Sequence, residues 1–253
     1  MSNQQLDGWN ESETIEFFMS NRKTYNDLYE SEKFFLQESF LKNIETILDV
    51  GCSVGGMYNI FQSLNNDVYY TGLDVSDNAI ENAKKLHTNK FTKFYHYNGV
   101  SEFPIPDKSY DLVFSTGVMH LIDNYKYIVS QMIQKSNKYI LLDFRLTKNS
   151  SYTGKFYFSF SDKKDISNST NYHVINFKEI INFFNEFQEI SQINIYGYKG
   201  NASEMSEGID DVYMVFFKIQ LGTKANAKID TQFENEELEN IFGNEKWKLQ
   251  LLQ

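Results

Sequence analysis

The segment that decides the fold is Ile47-Leu-Asp-Val-Gly-Cys-Ser-Val-Gly-Gly56, in which an apolar strand runs into a glycine-rich turn followed by a helical pattern. Gly51, Gly55 and Gly56 leave out side chains where a backbone has to approach another group closely. The turn is expected to direct free backbone N–H groups towards that group, at the positive end of the following helix. The segment therefore predicts a ligand site at the end of the first strand.

A second strand, Val68-Tyr-Tyr-Thr-Gly-Leu-Asp74, ends in a carboxylate about twenty residues after the turn. An acid at this distance suits the two hydroxyl groups of a ribose, so turn and acid together predict a nucleoside-cofactor site on a Rossmann-like sheet. A nicotinamide dehydrogenase is the main alternative on such a sheet. Its fingerprint is Gly-x-Gly-x-x-Gly, whereas the order here is Gly51-x-x-x-Gly55-Gly56, which argues against it.

The composition is that of a globular protein of 253 residues, with 41% hydrophobic and 23% charged residues. The net charge of −10 argues against a nucleic-acid partner, because phosphate backbones need a basic surface. The single cysteine, Cys52, cannot form an intramolecular disulfide and is typical of a reducing compartment. Because we find no secretory signal and no apolar stretch that could span a bilayer, we expect a cytoplasmic protein without a membrane partner. The sequence leaves the oligomeric state open.

Strand and helix patterns alternate between residues 45 and 144, which predicts right-handed parallel crossovers. We therefore expect an α/β protein with a Rossmann-like, doubly wound, mostly parallel seven-stranded sheet whose last strand is antiparallel. Residues 1–221 are expected to form a single domain, with a helical N-terminal segment (1–42) and an insertion after the fifth strand (147–172). Residues 222–253 are predicted to be a polar C-terminal tail, partly helical at 234–241.

Two further motifs lie in the same region of the chain. Asn98-Gly-Val-Ser-Glu-Phe-Pro-Ile-Pro-Asp-Lys-Ser-Tyr-Asp111 contains both prolines of the protein, and Asp111-Leu-Val-Phe-Ser-Thr-Gly-Val-Met-His-Leu121 follows it directly. With the glycine turn and Asp74, these ordered motifs resemble class I S-adenosylmethionine-dependent methyltransferases over residues 47–144. The resemblance implies that S-adenosylmethionine is the cofactor and S-adenosylhomocysteine the product, and it implies no metal.

The resemblance also implies roles for individual residues. Asp74 is expected to bind the ribose, Gly51 to allow close approach of the backbone, and Asp49 to steady the turn and the amino-acid end of the cofactor. Two positions depart from the family pattern, because Ser53 replaces a frequent glycine and Gly99 replaces an aspartate that contacts the adenine. The full set of predicted cofactor-binding residues is Asp49, Gly51, Cys52, Ser53, Gly55, Asp74, Val75, Asn98, Gly99, Val100, Ser115 and Thr116.

Five residues are candidates for catalysis or substrate binding. His120, just beyond the fourth strand, and His173, after the insertion, are candidate general bases, with a packing role as the alternative for each. Arg145, at the end of the fifth strand, can hold a carboxylate or phosphate, or form a salt bridge with a nearby acid. Tyr25 and Tyr29 are expected, from the resemblance alone, to close over the site and contact the substrate.

These features predict methyl transfer by in-line displacement to a small polar metabolite. The expected reaction is O-methylation of a sugar-derived, phosphorylated or nucleotide-linked intermediate, such as a precursor in polysaccharide biosynthesis. N-methylation of a small amine or amino acid is one alternative. A non-catalytic protein that binds S-adenosylmethionine is the other.

Overall fold

A computed structural model describes residues 8–158, 168–210, 212–223 and 228–233 of the chain. The helix predicted at 234–241 and part of the predicted insertion lie outside these ranges. The strands are β1 (Thr46–Val50), β2 (Tyr69–Asp74), β3 (Thr92–His96), β4 (Tyr110–Ser115), β5 (Ser136–Thr147), β6 (Tyr152–Tyr157), β7 (Ser169–Asn176), β8 (Ile190–Lys199), β9 (Ser206–Glu207), β10 (Tyr213–Leu221) and β11 (Lys228–Phe233). The α-helices are α1 (Ser12–Ser20), α2 (Glu30–Phe35), α3 (Glu38–Leu41), α4 (Gly56–Leu64), α5 (Asp77–Leu86), α6 (Tyr125–Lys135) and α7 (Phe177–Asn185).

The main sheet has the strand order β11-β8-β10-β5-β4-β1-β2-β3. Strands β1 to β5 pair in parallel, and β10 runs antiparallel between β5 and β8. The predicted doubly wound, mostly parallel sheet is therefore confirmed, and β10 is its antiparallel last strand. Strand β11 lies in the segment predicted to be a polar tail and adds an edge strand parallel to β8.

The central strands are buried on both faces because helices cover each side of the sheet. In β4, Val113 packs into one apolar layer, whereas Leu112 and Phe114 pack into the other. This alternation follows from the two-residue period of a strand. Ile128 of α6 belongs to the first layer and Phe61 of α4 to the second. The two layers hold the centre of the sheet, and with it the loops at the carboxyl ends of the strands.

The glycine turn joins β1 to α4 through left-handed backbone conformations. Gly51 has a φ of 80°, and Gly55, the N-cap residue of α4, has a φ of 78°. A Cβ atom at Gly51 would lie 2.4 Å from Cγ2 of Val118, and one at Gly55 would lie 2.8 Å from Cε1 of Phe94. Glycine is therefore required at both positions for conformation and for space.

The N-terminal segment, residues 8–41, packs on the core at several places. Ile15 of α1 contacts Val54 of the glycine turn, and Phe35 of α2 stacks on Phe216 of β10 at 5.7 Å. Asn10 accepts a hydrogen bond from the Ser76 hydroxyl at 2.9 Å, which ties the start of the segment to the end of β2. The segment contains the short helices α1, α2 and α3 and lies beside the end of β2.

The insertion contributes to a small second sheet beside β5. Strand β6 pairs antiparallel with β7 and β9, and β7 continues the pairing of β5 at Leu146 and Thr147. Tyr172 and Val174 of β7 pack with Leu121, which lies in the 3₁₀ turn Met119–Leu121 after β4.

None of the helices in the described ranges has the length and apolar character that a membrane crossing requires.

Candidate active site

A cavity of about 610 Å³ opens where β1, β2 and β4 end. Its lining includes Asp49 and Gly51 from the glycine turn, Asp74 from the end of β2, and Thr116 after β4. Ligand sites of doubly wound sheets lie at the carboxyl ends of the strands, and their volumes are typically about 300–1,000 Å³. The cavity therefore has the position and the size of a small-molecule site.

Backbone amides hold both carboxylate oxygens of Asp74 in place. Its Oδ2 accepts a hydrogen bond from the Ser53 amide at 2.8 Å, and its Oδ1 accepts one from the Ser76 amide at 2.9 Å. Burial raises the pKa of this carboxyl group, and the backbone donors partly offset that rise. Carboxylate oxygens accept more than one hydrogen bond each, so Asp74 can still accept from a ligand hydroxyl group.

The amides of the glycine turn already have partners within the protein. Those of Gly51 and Cys52 donate to the Leu73 carbonyl at 2.8 and 3.0 Å, and that of Gly55 donates to the Cys52 carbonyl at 2.9 Å. The amide of Ser53 is used by Asp74. The prediction that the turn directs free N–H groups towards the ligand is therefore wrong at these four positions. A phosphate-binding turn needs free donors, and these four amides do not supply them.

Asp49 lies beside the turn and is buried, with 3% of its surface exposed. It accepts a hydrogen bond from the Tyr70 hydroxyl group. Burial raises the pKa of Asp49 to about 7, while the Tyr70 hydrogen bond and the positive charge of Arg22 act in the opposite direction. A ligand ammonium group placed in the cavity would favour the ionised form of this carboxyl group.

Arg22 connects the N-terminal segment to the loop after β4. One of its Nη atoms donates to the Thr116 hydroxyl at 3.1 Å, and the other pairs with Glu32, whose side chain is 1% exposed. The guanidinium carbon lies 5.5 Å from the centre of the Tyr29 ring, and Nε is buried without a partner among the described residues. Both Arg22 and Tyr29 line the cavity, and a guanidinium group there suits a ligand carboxylate.

Much of the cavity lining is apolar. The tryptophan ring of Trp9 stacks on Phe156 with ring centres 6.3 Å apart, and Phe158 meets it edge-on at 4.6 Å. Large side chains of this kind supply contact area and exclude water. We refer to six of the lining residues as the apolar wall: Trp9, Phe18, Leu121, Ile122, Phe156 and Met205.

Two buried polar side chains, His120 and Arg145, also line the cavity. The His120 ring packs 4.6 Å from Tyr172, and its Nδ1 has no hydrogen-bond partner in the described part of the chain. Burial, and then the charges of Arg145 and His173, hold the pKa of His120 well below its usual value. Arg145 pairs with Asp143, but its Nε is likewise without a partner among the described residues.

The structure brings many of the predicted site residues into one cavity. Asp49 and Asp74 lie on its floor, and Arg145 and His120 lie beside the apolar wall. The predicted residues that line the cavity are Asp49, Gly51, Cys52, Ser53, Asp74, Val75, Thr116, His120, Arg145 and Tyr29. Their roles stay predictions.

Other predicted residues lie outside the residues that line the cavity: Gly55, Asn98, Gly99, Val100, Ser115, Tyr25 and His173. The Ser115 hydroxyl is buried and donates to the Val50 carbonyl at 2.7 Å, and the Tyr25 hydroxyl donates to the Lys33 carbonyl at 3.3 Å. His173 contacts Asp123 at 2.8 Å and its cross-strand neighbour Thr153 at 3.2 Å. These contacts hold Ser115, Tyr25 and His173 within the fold, and the roles predicted for them stay predictions.

Sequence reasoning missed most of the apolar wall. Trp9 and Met205 are separated by nearly the whole described chain, and no local spacing relates them. The aromatic run that contains Phe156 was the one available signal, because a strand with adjacent large aromatics beside a polar insertion needs a partner surface. The wall therefore exists only through tertiary packing.

Residues 48–135 match a family model described as a methyltransferase domain. The chain is 30% identical over 117 residues to a putative methyltransferase, 235L, of Invertebrate iridescent virus 6, a match that covers 45% of this chain and 43% of that protein. It is 26% identical over 86 residues to a fatty-acid O-methyltransferase of Mycolicibacterium smegmatis, covering 34% of this chain and 31% of that protein. The chain thus matches less than half the length of either curated relative.

Among solved structures, the chain resembles the plantazolicin methyltransferase BpumL, which was solved in complex with SAH. The TM-score is 0.52 at 17% sequence identity, and the match covers 86% of this chain and 94% of that one. At this identity the likeness shows a common fold. It agrees with the strand order and with the cavity at the carboxyl ends of the strands.

Proposed function

We propose that this chain, whose residues 48–135 match a family model described as a methyltransferase domain, transfers a methyl group from S-adenosylmethionine to a small molecule. The observation that carries the proposal is the position of Asp74 in the cavity lining, beside a glycine turn in which the amides of Gly51, Cys52, Ser53 and Gly55 are already bonded within the protein. Such a site suits a nucleoside with ribose hydroxyl groups and no phosphate. S-adenosylmethionine has this chemistry, whereas a dinucleotide carries a pyrophosphate.

The remaining polar groups of the cavity also fit this cofactor. Asp74 would accept hydrogen bonds from the ribose hydroxyl groups, and Gly51 would allow the backbone to approach closely. Asp49 and Arg22 offer a carboxylate and a guanidinium group for the ammonium and carboxylate of the methionine end. When bound, S-adenosylmethionine supplies an activated methyl group on a sulfonium, so the protein is left with alignment and the exclusion of water.

The chain has the parts for both tasks. The N-terminal segment is tied to the end of β2 through Asn10, and the apolar wall gives the cavity a surface that disfavours water. In model reactions, good alignment of two reactants removes about 7–11 kcal/mol of the barrier. His120 is uncharged at neutral pH because its pKa is lowered, so it can orient an acceptor through a hydrogen bond.

The acceptor predicted from sequence, a sugar-derived, phosphorylated or nucleotide-linked intermediate methylated on oxygen, is supported only by the position of Arg145 in the cavity. N-methylation of a small amine and a non-catalytic role stay alternatives. The cytoplasmic location and the absence of a nucleic-acid partner likewise stay predictions, and the net charge of −10 supports the second of them.

Calorimetric titration of the protein with S-adenosylmethionine and S-adenosylhomocysteine tests the cofactor, and methyl-deuterated S-adenosylmethionine in a small-metabolite extract tests catalysis. We expect binding of both compounds and a labelled product detected by mass spectrometry. Asp74→Ala should weaken binding, whereas Asp67→Ala, which removes an exposed acid away from the cavity, should not. Absence of binding would refute the proposal, and binding without any labelled product would favour the non-catalytic alternative.

A further inference from the structure

The cavity carries information about the acceptor, because the apolar wall and two buried polar side chains that are not assigned to the cofactor, Arg145 and His120, line the same space. We propose that the acceptor is a small apolar carboxylic acid whose hydrocarbon body packs on the apolar wall and whose carboxylate lies beside Arg145 and His120. This inference rests on the proposed methyltransferase function and names the substrate class of the same site.

The apolar wall favours a hydrocarbon body over a sugar. Trp9 and Phe156 present stacked ring faces, and Leu121 and Ile122 are themselves buried at the base of the wall. Hydroxyl groups buried against such a surface lose their hydrogen bonds to water without gaining new ones. Apolar groups have no hydrogen bonds to water to lose, so their burial against this surface is favourable.

The ionisable groups of the cavity favour a nucleophile that is already charged. His120 has a pKa well below its usual value, and a base that weak removes a proton from an alcohol inefficiently. The carboxyl groups of Asp49 and Asp74 lie on the floor of the cavity and are bonded to Tyr70 and to backbone amides. A carboxylic acid is ionised at neutral pH and needs no base.

Arg145 supplies the matching positive charge. The carboxylate of Asp143 pairs with Arg145 and also accepts a hydrogen bond from the Gly117 amide at 2.7 Å. Arg145 in turn keeps a buried Nε–H without a partner among the described residues, and this group can only donate a hydrogen bond. An acceptor carboxylate satisfies that donor, and a neutral His120 adjoining it adds no competing charge.

The chemical step balances without a proton transfer. A carboxylate oxygen forms a bond to the methyl carbon, and the carbon–sulfur bond breaks with its electron pair moving to sulfur. The negative carboxylate and the positive sulfonium become a neutral methyl ester and the neutral thioether of S-adenosylhomocysteine. No oxidant, reductant or further reactant is required.

The position of Trp9 in the wall provides a direct binding assay. The chain has two tryptophans, so Trp247→Phe leaves Trp9 as the single fluorescent reporter. The variant, saturated with S-adenosylhomocysteine, is titrated with octanoate, 3-phenylpropionate, octan-1-ol and glucose 6-phosphate. We expect a saturable change in Trp9 emission with the two carboxylates, and affinity for octanoate about tenfold above that for octan-1-ol.

Two variants separate the wall from the rest of the fold. Phe156→Ala should weaken octanoate binding about tenfold and leave the affinity for S-adenosylhomocysteine unchanged. Tyr69→Ala removes an exposed aromatic residue on β2 away from the cavity and should change neither affinity. With methyl-deuterated S-adenosylmethionine, octanoate should give a labelled methyl ester, detected by mass spectrometry.

Each result decides between the proposals. If S-adenosylhomocysteine binds but neither carboxylate does, or if glucose 6-phosphate binds instead, the acceptor inference is wrong and the methyltransferase proposal stands. Equal affinity for octanoate and octan-1-ol would overturn the role assigned to Arg145. Failure of S-adenosylhomocysteine to bind at all would overturn the proposed function itself.

Discussion

Replacement of Gly51 by alanine tests the geometry of the glycine turn. The new Cβ atom would lie 2.4 Å from Cγ2 of Val118, in a backbone conformation with a φ of 80°. The left-handed conformation costs an alanine about 1–2 kcal/mol, and an overpacked contact costs about 1–3 kcal/mol. Together these terms predict a loss of about 2–5 kcal/mol from a typical stability of about 5–15 kcal/mol.

Two further variants separate the conformational cost from the steric cost. Gly117→Ala adds a Cβ at a φ of 71° with no atom of the described residues within 4 Å apart from its chain neighbours, so it should lose only the conformational part, about 1–2 kcal/mol. In the double variant Gly51→Ala/Val118→Ala the nearest remaining Val118 atom is Cβ, at 3.4 Å. The clash is then removed, and the double variant should be more stable than the sum of the single variants predicts by about 1–3 kcal/mol.

The free energies of unfolding of Gly51→Ala, Val118→Ala, Gly117→Ala and the double variant are measured by urea titration. Calorimetry of S-adenosylhomocysteine binding is carried out in parallel. Additive effects of Gly51→Ala and Val118→Ala would refute the steric argument. A loss in Gly117→Ala as large as that in Gly51→Ala would show that the backbone conformation alone accounts for the effect.

Asp74→Ala should weaken binding of S-adenosylmethionine by calorimetry at least about 100-fold, because two charge-assisted hydrogen bonds of about 1.5–3 kcal/mol each are lost, about 3–6 kcal/mol together. Unchanged affinity would refute the ribose assignment. Because burial raises the pKa of Asp49 to about 7 from 3.8, its contribution to stability is fully present below about pH 4 and is lost as the pH rises through 7. Asp49→Asn should therefore flatten the fall of the unfolding free energy of the free protein between pH 4 and 8, and an unchanged pH profile would contradict this. Arg22→Met leaves Glu32 buried without its ion pair and should lower the stability by about 3–5 kcal/mol, most of which should be recovered in Arg22→Met/Glu32→Gln. Hydrogen exchange of residues 8–41 measures both effects. No recovery in the double variant would argue against a role for the uncompensated charge.

The sheet and its ligand edge could be predicted from sequence because their signals are local. The apolar run before Gly51 and the acid at Asp74 lie within one strand–helix–strand unit, and the pairing of β1 with β2 follows from the handedness of the connection. Strand β11 could not be predicted, because residues 228–233 read as a polar tail and pair with β8 only through the edge that β8 offers.

The details of the site were less predictable, because they depend on which partner each group meets. The free amides expected in the glycine turn are bonded to Leu73 and to other groups that only the folded strand ends bring near. His173 and Asp123 are 50 residues apart, and their contact depends on how the insertion folds against the loop after β4. Arg145 has both of its predicted properties, a place in the cavity and an ion pair with a nearby acid.

The division of the cavity between different parts of the chain has a consequence for how its specificity can change. The floor comes from one continuous stretch, residues 49–76, whereas the apolar wall is drawn from segments as distant as Trp9 and Met205. Substitutions at Trp9, Phe156 or Met205 can therefore change the shape of the cavity without altering the glycine turn or Asp74. A library randomised at these three positions would test new acceptors, one residue at a time, while the residues proposed to bind the methyl donor stay unchanged.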